Sequence, residues 1–189
     1  MKSILIDIWN DLGVNQDKYV MNSEHALQSI IYHLLYDKLA SHNYKIFIEP
    51  WLENDRPDIM IVKSNIIKCI VEIKFSPHNY FNKKLTYNDI NKLSSYLNKK
   101  EYGMWYYNKN NAFDVDRQEW GMTQPKFSIS DETLLCFMVI GHEKDDTVKA
   151  DYLINALPKD YNVNQYLILT GTAKHNVNLH TSEIYLSFT

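Results

Sequence analysis

Stretches in which apolar residues recur every three or four positions alternate along this chain with short runs in which they are contiguous. Ile4, Leu5, Ile8, Trp9 and Leu12 have the first spacing. They predict a helix over 3–12 that stops at Gly13, a residue that readily takes the left-handed conformation closing a helix. A polar segment follows. Leu27, Ile30, Ile31, Leu34, Leu35 and Leu39 then form one stripe, with Asn22 or Ser23 placed to cap a helix running to about Ala40. Strand-like segments come next, at 44–49 (ended by Pro50), 58–62 and 66–75, the last two separated by little more than Ser64-Asn65. So short a connection predicts an antiparallel hairpin.

Beyond Ser76-Pro77, a loop bearing lysines and aromatics leads to a helix expected to begin at Asn88 or Asp89, with Ile90, Leu93 and Leu97 on one face. Residues 101–130 mix Trp105, Tyr106, Tyr107 and Trp120 with polar side chains and are expected to form a long insertion or partly ordered loop. The apolar run 133–140 reads as a strand buried on both faces. An acidic connection, a short helix over 152–157 and strands at 166–169 and 184–186 complete the order. No internal repeat or Gly/Ser-rich linker divides the chain. The expectation is one α/β domain over 1–189, with a central mixed β-sheet flanked by helices.

Composition narrows the classes. A chain of 189 residues is long enough to bury a core without staples. The apolar runs, about six residues long, fall far short of the ~20 that a membrane helix needs. Asp7 and Asp11 interrupt the N-terminal run, and no small-residue cleavage motif follows, so a secretory leader is not expected. Cys69 and Cys136 both sit in strand-like runs and read as buried thiols in a reducing cytoplasm. Lys, Asn, Ile and Tyr are abundant beside only two arginines, a bias of AT-rich genomes; a cytoplasmic protein of prokaryotic or phage origin is expected. The seven histidines show no HxH, HExxH or Cys-His spacing, which leaves zinc without support. No glycine-rich phosphate loop and no nucleophile elbow occur.

The net charge of −3 hides an asymmetry. Residues 63–109 hold nine lysines against Glu72, Asp89 and Glu101, a local charge of +6, and the rest of the chain carries −9. The same segment holds Tyr80, Phe81, Tyr87, Tyr96, Tyr102, Trp105, Tyr106 and Tyr107. Lysines neutralise phosphates and aromatic faces stack on bases. A solvated helix face with ordinary core aromatics is the plainer alternative.

Candidate chemistry concentrates at Arg56-Pro57-Asp58 and Val71-Glu72-Ile73-Lys74. Strand side chains alternate faces, so Glu72 and Lys74 point the same way and Ile73 the other. Two carboxylates meeting across a hairpin beside an amine suit a hard divalent cation and an activated water. The alternative is that Asp58 caps a turn and Glu72 pairs with Lys74 on a solvated strand. The strongly apolar flanks argue against it, because ionisable groups embedded there need a reason.

Pro57-Asp58 followed by Glu72-Ile73-Lys74 resembles the PD-(D/E)xK motif of the restriction-endonuclease-like nuclease superfamily. The resemblance covers about 20–141 and leaves 142–189 as a C-terminal elaboration. It implies a restriction-endonuclease-like core, Mg²⁺ (with Mn²⁺ able to substitute) held by Asp58 and Glu72, and Lys74 positioning or deprotonating the attacking water. Many members carry a glutamate at the first helix that completes the metal site, which here is Glu24; a first-turn glutamate is also favoured by the helix dipole alone. Gln28, Glu49 and Lys92 fit the pattern more weakly.

The expected activity is hydrolysis of DNA phosphodiester bonds, with Asp58, Glu72, Lys74 and Glu24 catalytic and Lys83, Lys84, Lys92, Lys99 and Lys100 on the phosphate backbone. RNA or flap cleavage is a further class. Double-strand cleavage by this chemistry implies a homodimer, and no membrane partner is expected. The competing reading is a non-catalytic module on the same fold that binds nucleic acid or protein, such as a phage-defence or counter-defence component.

Overall fold

Local signals and burial together set the elements that build the site. The computed structural model describes residues 1–15, 18–19, 21–53, 55–77, 83–104, 113–114, 119–120, 125–159, 162–178 and 181–188. Helix α1 spans Lys2–Val14 and α2 spans Glu24–Leu39. Strand β1 (Lys45–Ile48) leads to β2 (Ile59–Lys63) and β3 (Ile66–Ser76), and α3 follows at Lys83–Ser95. Short strands β4 (Glu101–Gly103), β5 (Phe113–Asp114), β6 (Glu119–Trp120) and β7 (Lys126–Ser128) precede the long β8 (Leu134–His142). Helix α4 (Ala150–Asn155) and strands β9 (Tyr166–Asn178) and β10 (Thr181–Phe188) close the chain.

The main sheet is mixed and has the order β1-β2-β3-β8-β9-β10, with β7 pairing β3 and β4 pairing β7. β1, β2 and β3 form an antiparallel meander, β3, β8 and β9 run parallel, and β10 returns antiparallel on β9. β5 and β6 pair with each other. Two apolar layers cover the sheet. Leu5, Ile8 and Leu12 of α1 and Leu27, Ile31 and Leu35 of α2 pack on Ile59, Ile61, Cys69, Val71 and Ile73. Ile90 and Leu93 of α3 and Leu153 of α4 pack on the other face with Met60, Val62 and Ile70. All eight residues from Leu134 to Gly141 are buried, as two parallel neighbours and two covered faces require. Cys69 and Cys136 are free buried thiols. No described helix is long and apolar enough to cross a membrane.

The hairpin forms where the sequence placed it. Ser64 (φ 52°) and Asn65 (φ 60°) are both left-handed, the geometry that matches the twist of two-residue hairpins. Other boundaries differ. Gly13 lies inside α1, which ends at Asn15 with φ −109°. The Asp11 side chain accepts from Asn15 Nδ2 at 2.7 Å and its carbonyl accepts from Asn15 N, so a left-handed glycine is not needed there. Helix α3 starts at Lys83, so Asn88 and Asp89 are interior; burial of Thr86, Ile90 and Leu93 outweighs their weak helix propensity. β9 and β10 are also longer than their apolar cores, because ladder bonds continue through the polar residues beyond them. Within 101–130, four short strands appear; 105–112, 115–118 and 121–124 lie outside the described residues.

Candidate functional site

Asp58 and Glu72 face each other because of strand register. Ile59 pairs with Val71 across β2 and β3, and the ladder carried one residue further sets Asp58 opposite Glu72. Glu72 and Lys74 lie in the C-terminal half of β3, at the carboxyl end of a strand whose neighbour β8 is parallel, where open α/β sheets leave a crevice. The first turn of α2 and one face of α3 close that crevice.

Asp58 is fixed at both ends. Its Oδ2 accepts from Ile73 N at 2.6 Å. Its carbonyl accepts from Glu49 N at 2.9 Å, where β1 ends, and from Gln28 Nε2 at 2.9 Å. Gln28 is buried on α2, one turn beyond Glu24. Gln28 and Glu49 therefore both hold the Asp58 backbone.

Glu24 is the first residue of α2, and the preceding Ser23 caps the helix by accepting from Ala26 N at 3.1 Å. The cap presents Glu24 toward β3: Oε2 accepts from Phe75 N at 3.3 Å, and Oε1 lies 3.5 Å from Lys74 Nζ. Lys74 Nζ is also 3.3 Å from Glu72 Oε1. From α3, Lys92 Nζ reaches Glu72 Oε2 at 3.1 Å and donates to the Arg56 carbonyl at 2.9 Å. The Glu72 side chain is only 3% exposed and is bracketed by two ammonium groups.

The electrostatics follow from burial. Desolvation, then the Glu72 charge, pushes the Asp58 carboxyl up to about 6 from its usual 3.8, against the opposing Ile73 N–H and Lys74. Desolvation likewise raises Glu72, against Lys74 and Lys92. The Lys74 ammonium is held well above its usual range, because Glu72, Glu24, Asp89 and Asp58 together outweigh its own burial. Lys74 is therefore a cation at neutral pH. Asp89 on α3 is raised too, chiefly by burial, while Lys74 and Lys92 oppose it and Glu24 and Asp58 reinforce it.

Acidic oxygens crowded at one end of a sheet, those of Asp58, Glu72 and Asp89 with raised proton affinity, match in kind the ligands of a hard cation. They are not gathered as a finished cage: among the described residues no three His, Cys, Asp or Glu side chains lie close enough together to hold a metal ion. Asp58 and Glu72 fit Mg²⁺ as a pair, since this ion keeps several waters and needs one or two carboxylates. Glu72 would have to exchange an ammonium partner for it.

The proposed backbone-binding lysines are dispersed. Lys83 and Lys84 open α3, and their side chains lie outside the described set. Lys92 turns into the site. Lys99 pairs with Glu53 and lies 5.7 Å from the Tyr102 ring centre, and Lys100 is exposed. Two site neighbours escape the motif. Asp89 reads as a helix start, although its position one turn before Lys92 puts both on one face. Arg56 precedes the motif with no role, yet its Nη2 is 2.7 Å from Glu49 and its backbone receives Lys92.

The fold and site define an α/β protein with a buried acid–lysine cluster. Comparison with protein-family models, curated proteins and solved structures finds no match to this chain.

Proposed function

We propose that the protein is a Mg²⁺-dependent phosphodiesterase of the restriction-endonuclease-like type, acting on DNA. The observation that carries the reading is the meeting of Asp58, Glu72, Lys74 and Glu24 from three elements, with Lys74 Nζ 3.3 Å from Glu72 and 3.5 Å from Glu24. Asp58 and Glu72, with Glu24 beside them, would hold the metal. When bound, the ion supplies Lewis-acid activation of the phosphate and of a water. Lys74, kept protonated by its acidic neighbours, stabilises the charge that develops on the phosphoryl oxygens, and a role as proton acceptor is disfavoured in this state. Gln28, Glu49 N and Ile73 N hold Asp58 against drift, which preserves reactive geometry.

One observation favours a second reading, a non-catalytic binding module. Glu72 already has two cationic partners, and among the described residues no three ligands are gathered. Incubating the protein with supercoiled plasmid and with single-stranded DNA, each in Mg²⁺, Mn²⁺ or EDTA, separates the two. Metal-dependent nicking supports the hydrolase. Binding without cleavage on every substrate supports the module.

A further inference from the structure

Trp51 is 58% exposed, an uncommon position for so large an apolar ring, although its neighbours in the chain are buried. Pro50 and Leu52 on either side are buried. Leu52 N donates to the Asp55 carbonyl at 2.9 Å, Asp55 N returns the bond at 3.1 Å, and Leu52 also bridges to Met104. Glu53 is left-handed at φ 58°. These bonds hold the backbone that follows the exposed ring.

The turn is joined to the acid–lysine cluster. Arg56 donates Nε–H to the Glu49 carbonyl at 3.0 Å, and its guanidinium carbon lies 5.3 Å from the centre of the Trp51 ring. Two residues on is Asp58, at most about 7 Å along the chain. Lys92 links the Arg56 carbonyl to Glu72. Trp51 also borders an open cleft of about 400 Å³ with Tyr32, Ile46, Ile48 and Met104 on its walls. The cleft is largely apolar and carries an exposed indole, with the Arg56 guanidinium beside that indole and paired to the lining Glu49. Joined through the Arg56 backbone to the carboxylates that would hold the metal, it suits a planar heteroaromatic ring joined to a phosphate chain.

We propose that Trp51, with Arg56, is a stacking platform for an unpaired base of the strand whose phosphate would be held at the Asp58–Glu72 metal site. This rests on the phosphodiesterase reading and deepens it by naming the substrate class: nucleic acid with a single-stranded segment at the site. A paired base buries its faces against its neighbours in the duplex and cannot enter the cleft without unstacking.

The test is fluorescence anisotropy in Ca²⁺, a hard cation that takes carboxylate oxygens, with a labelled single-stranded oligonucleotide and a blunt duplex of the same sequence. Trp51→Ala is expected to weaken single-strand binding by about 5- to 150-fold, the range that stacking of one base spans. Trp51→Phe should keep most of the affinity, and duplex binding should change less than about twofold. Because the ring is exposed, the thermal midpoint of Trp51→Ala should match that of the wild type, which shows that the variant is folded. Equal single-strand affinity in wild type and Trp51→Ala, equal losses on both substrates, or no binding by the wild type would each overturn the proposal. Cleavage that depends on Asp58 while Trp51→Ala binds normally would sink only the stacking site. Trp51-dependent binding in a protein that cuts nothing would support the platform and sink the hydrolase.

Discussion

Lys92 Nζ lies 3.1 Å from an oxygen of Glu72, whose side chain is 3% exposed. Helix α3 thus supplies a counter-charge to a carboxylate that β3 buries. Lys92→Met should destabilise the protein by about 1–3 kcal/mol, less than the roughly 3–5 kcal/mol of a fully buried pair, because Lys74 remains and Lys92 is partly solvated. Urea denaturation in EDTA measures the loss. Adding Glu72→Gln should recover more than half of it, since the double variant no longer strands a charge.

Asp58 gives a pH dependence with a defined sign. Its folded-state value, about 6, lies above its usual 3.8, so the folded protein binds the proton more tightly than the unfolded chain. This contribution favours folding below about pH 4, is lost as pH rises toward 6, and is absent above that. Asp58→Asn removes the buried charge and keeps an acceptor for Ile73 N–H. In EDTA at pH 7.5 it should therefore raise stability by about 1–2 kcal/mol, or roughly 2–6 °C in Tm. The advantage should vanish near pH 4. Differential scanning fluorimetry across pH measures it, and a Tm below wild type at pH 7.5 would refute the assignment.

The β2–β3 turn fixes the register that sets Asp58 opposite Glu72. Asn65 is held at φ 60°, where a side chain carries a steric penalty that glycine lacks. Asn65→Gly is expected to stabilise the protein by about 0.5–1 kcal/mol in thermal or urea melts and to leave cleavage unchanged.

Ser23 orients Glu24 by capping α2. Ser23→Ala should cost about 0.5–2 kcal/mol of stability. It should also lower metal-dependent turnover more than substrate affinity, which single-turnover kinetics at varied DNA concentration would resolve.

The acid pair, its lysine and the Ser64-Asn65 hairpin were legible because strand alternation and a two-residue turn are local rules. The Asn22-Ser23 capping pattern put Glu24 in the first turn of α2, and only the family resemblance pointed it at the site. Asp89 and Lys92 were harder, because Asn88-Asp89 imitates a helix start and only the packing of Ile90 and Leu93 on the sheet shows the helix continuing through it. The grip of Gln28 on the Asp58 carbonyl spans thirty residues and leaves no trace in local periodicity. Nor could the pattern reveal that Glu72 is neutralised from two sides, since that depends on the distance between α3 and β3. Trp51 was silent for a related reason: exposure belongs to the folded surface.

Relaxation of supercoiled plasmid in Mg²⁺ by wild type, Asp58→Ala and Lys74→Ala tests the central claim most directly. Wild type should nick the plasmid and stop when EDTA is added. Asp58→Ala should lose about 10³-fold or more in rate and Lys74→Ala about 10²- to 10³-fold, both with native circular dichroism. A variant that cuts as fast as wild type, or a wild type that cuts neither plasmid nor single-stranded DNA with any divalent ion, would show that this cluster is not a phosphodiesterase site.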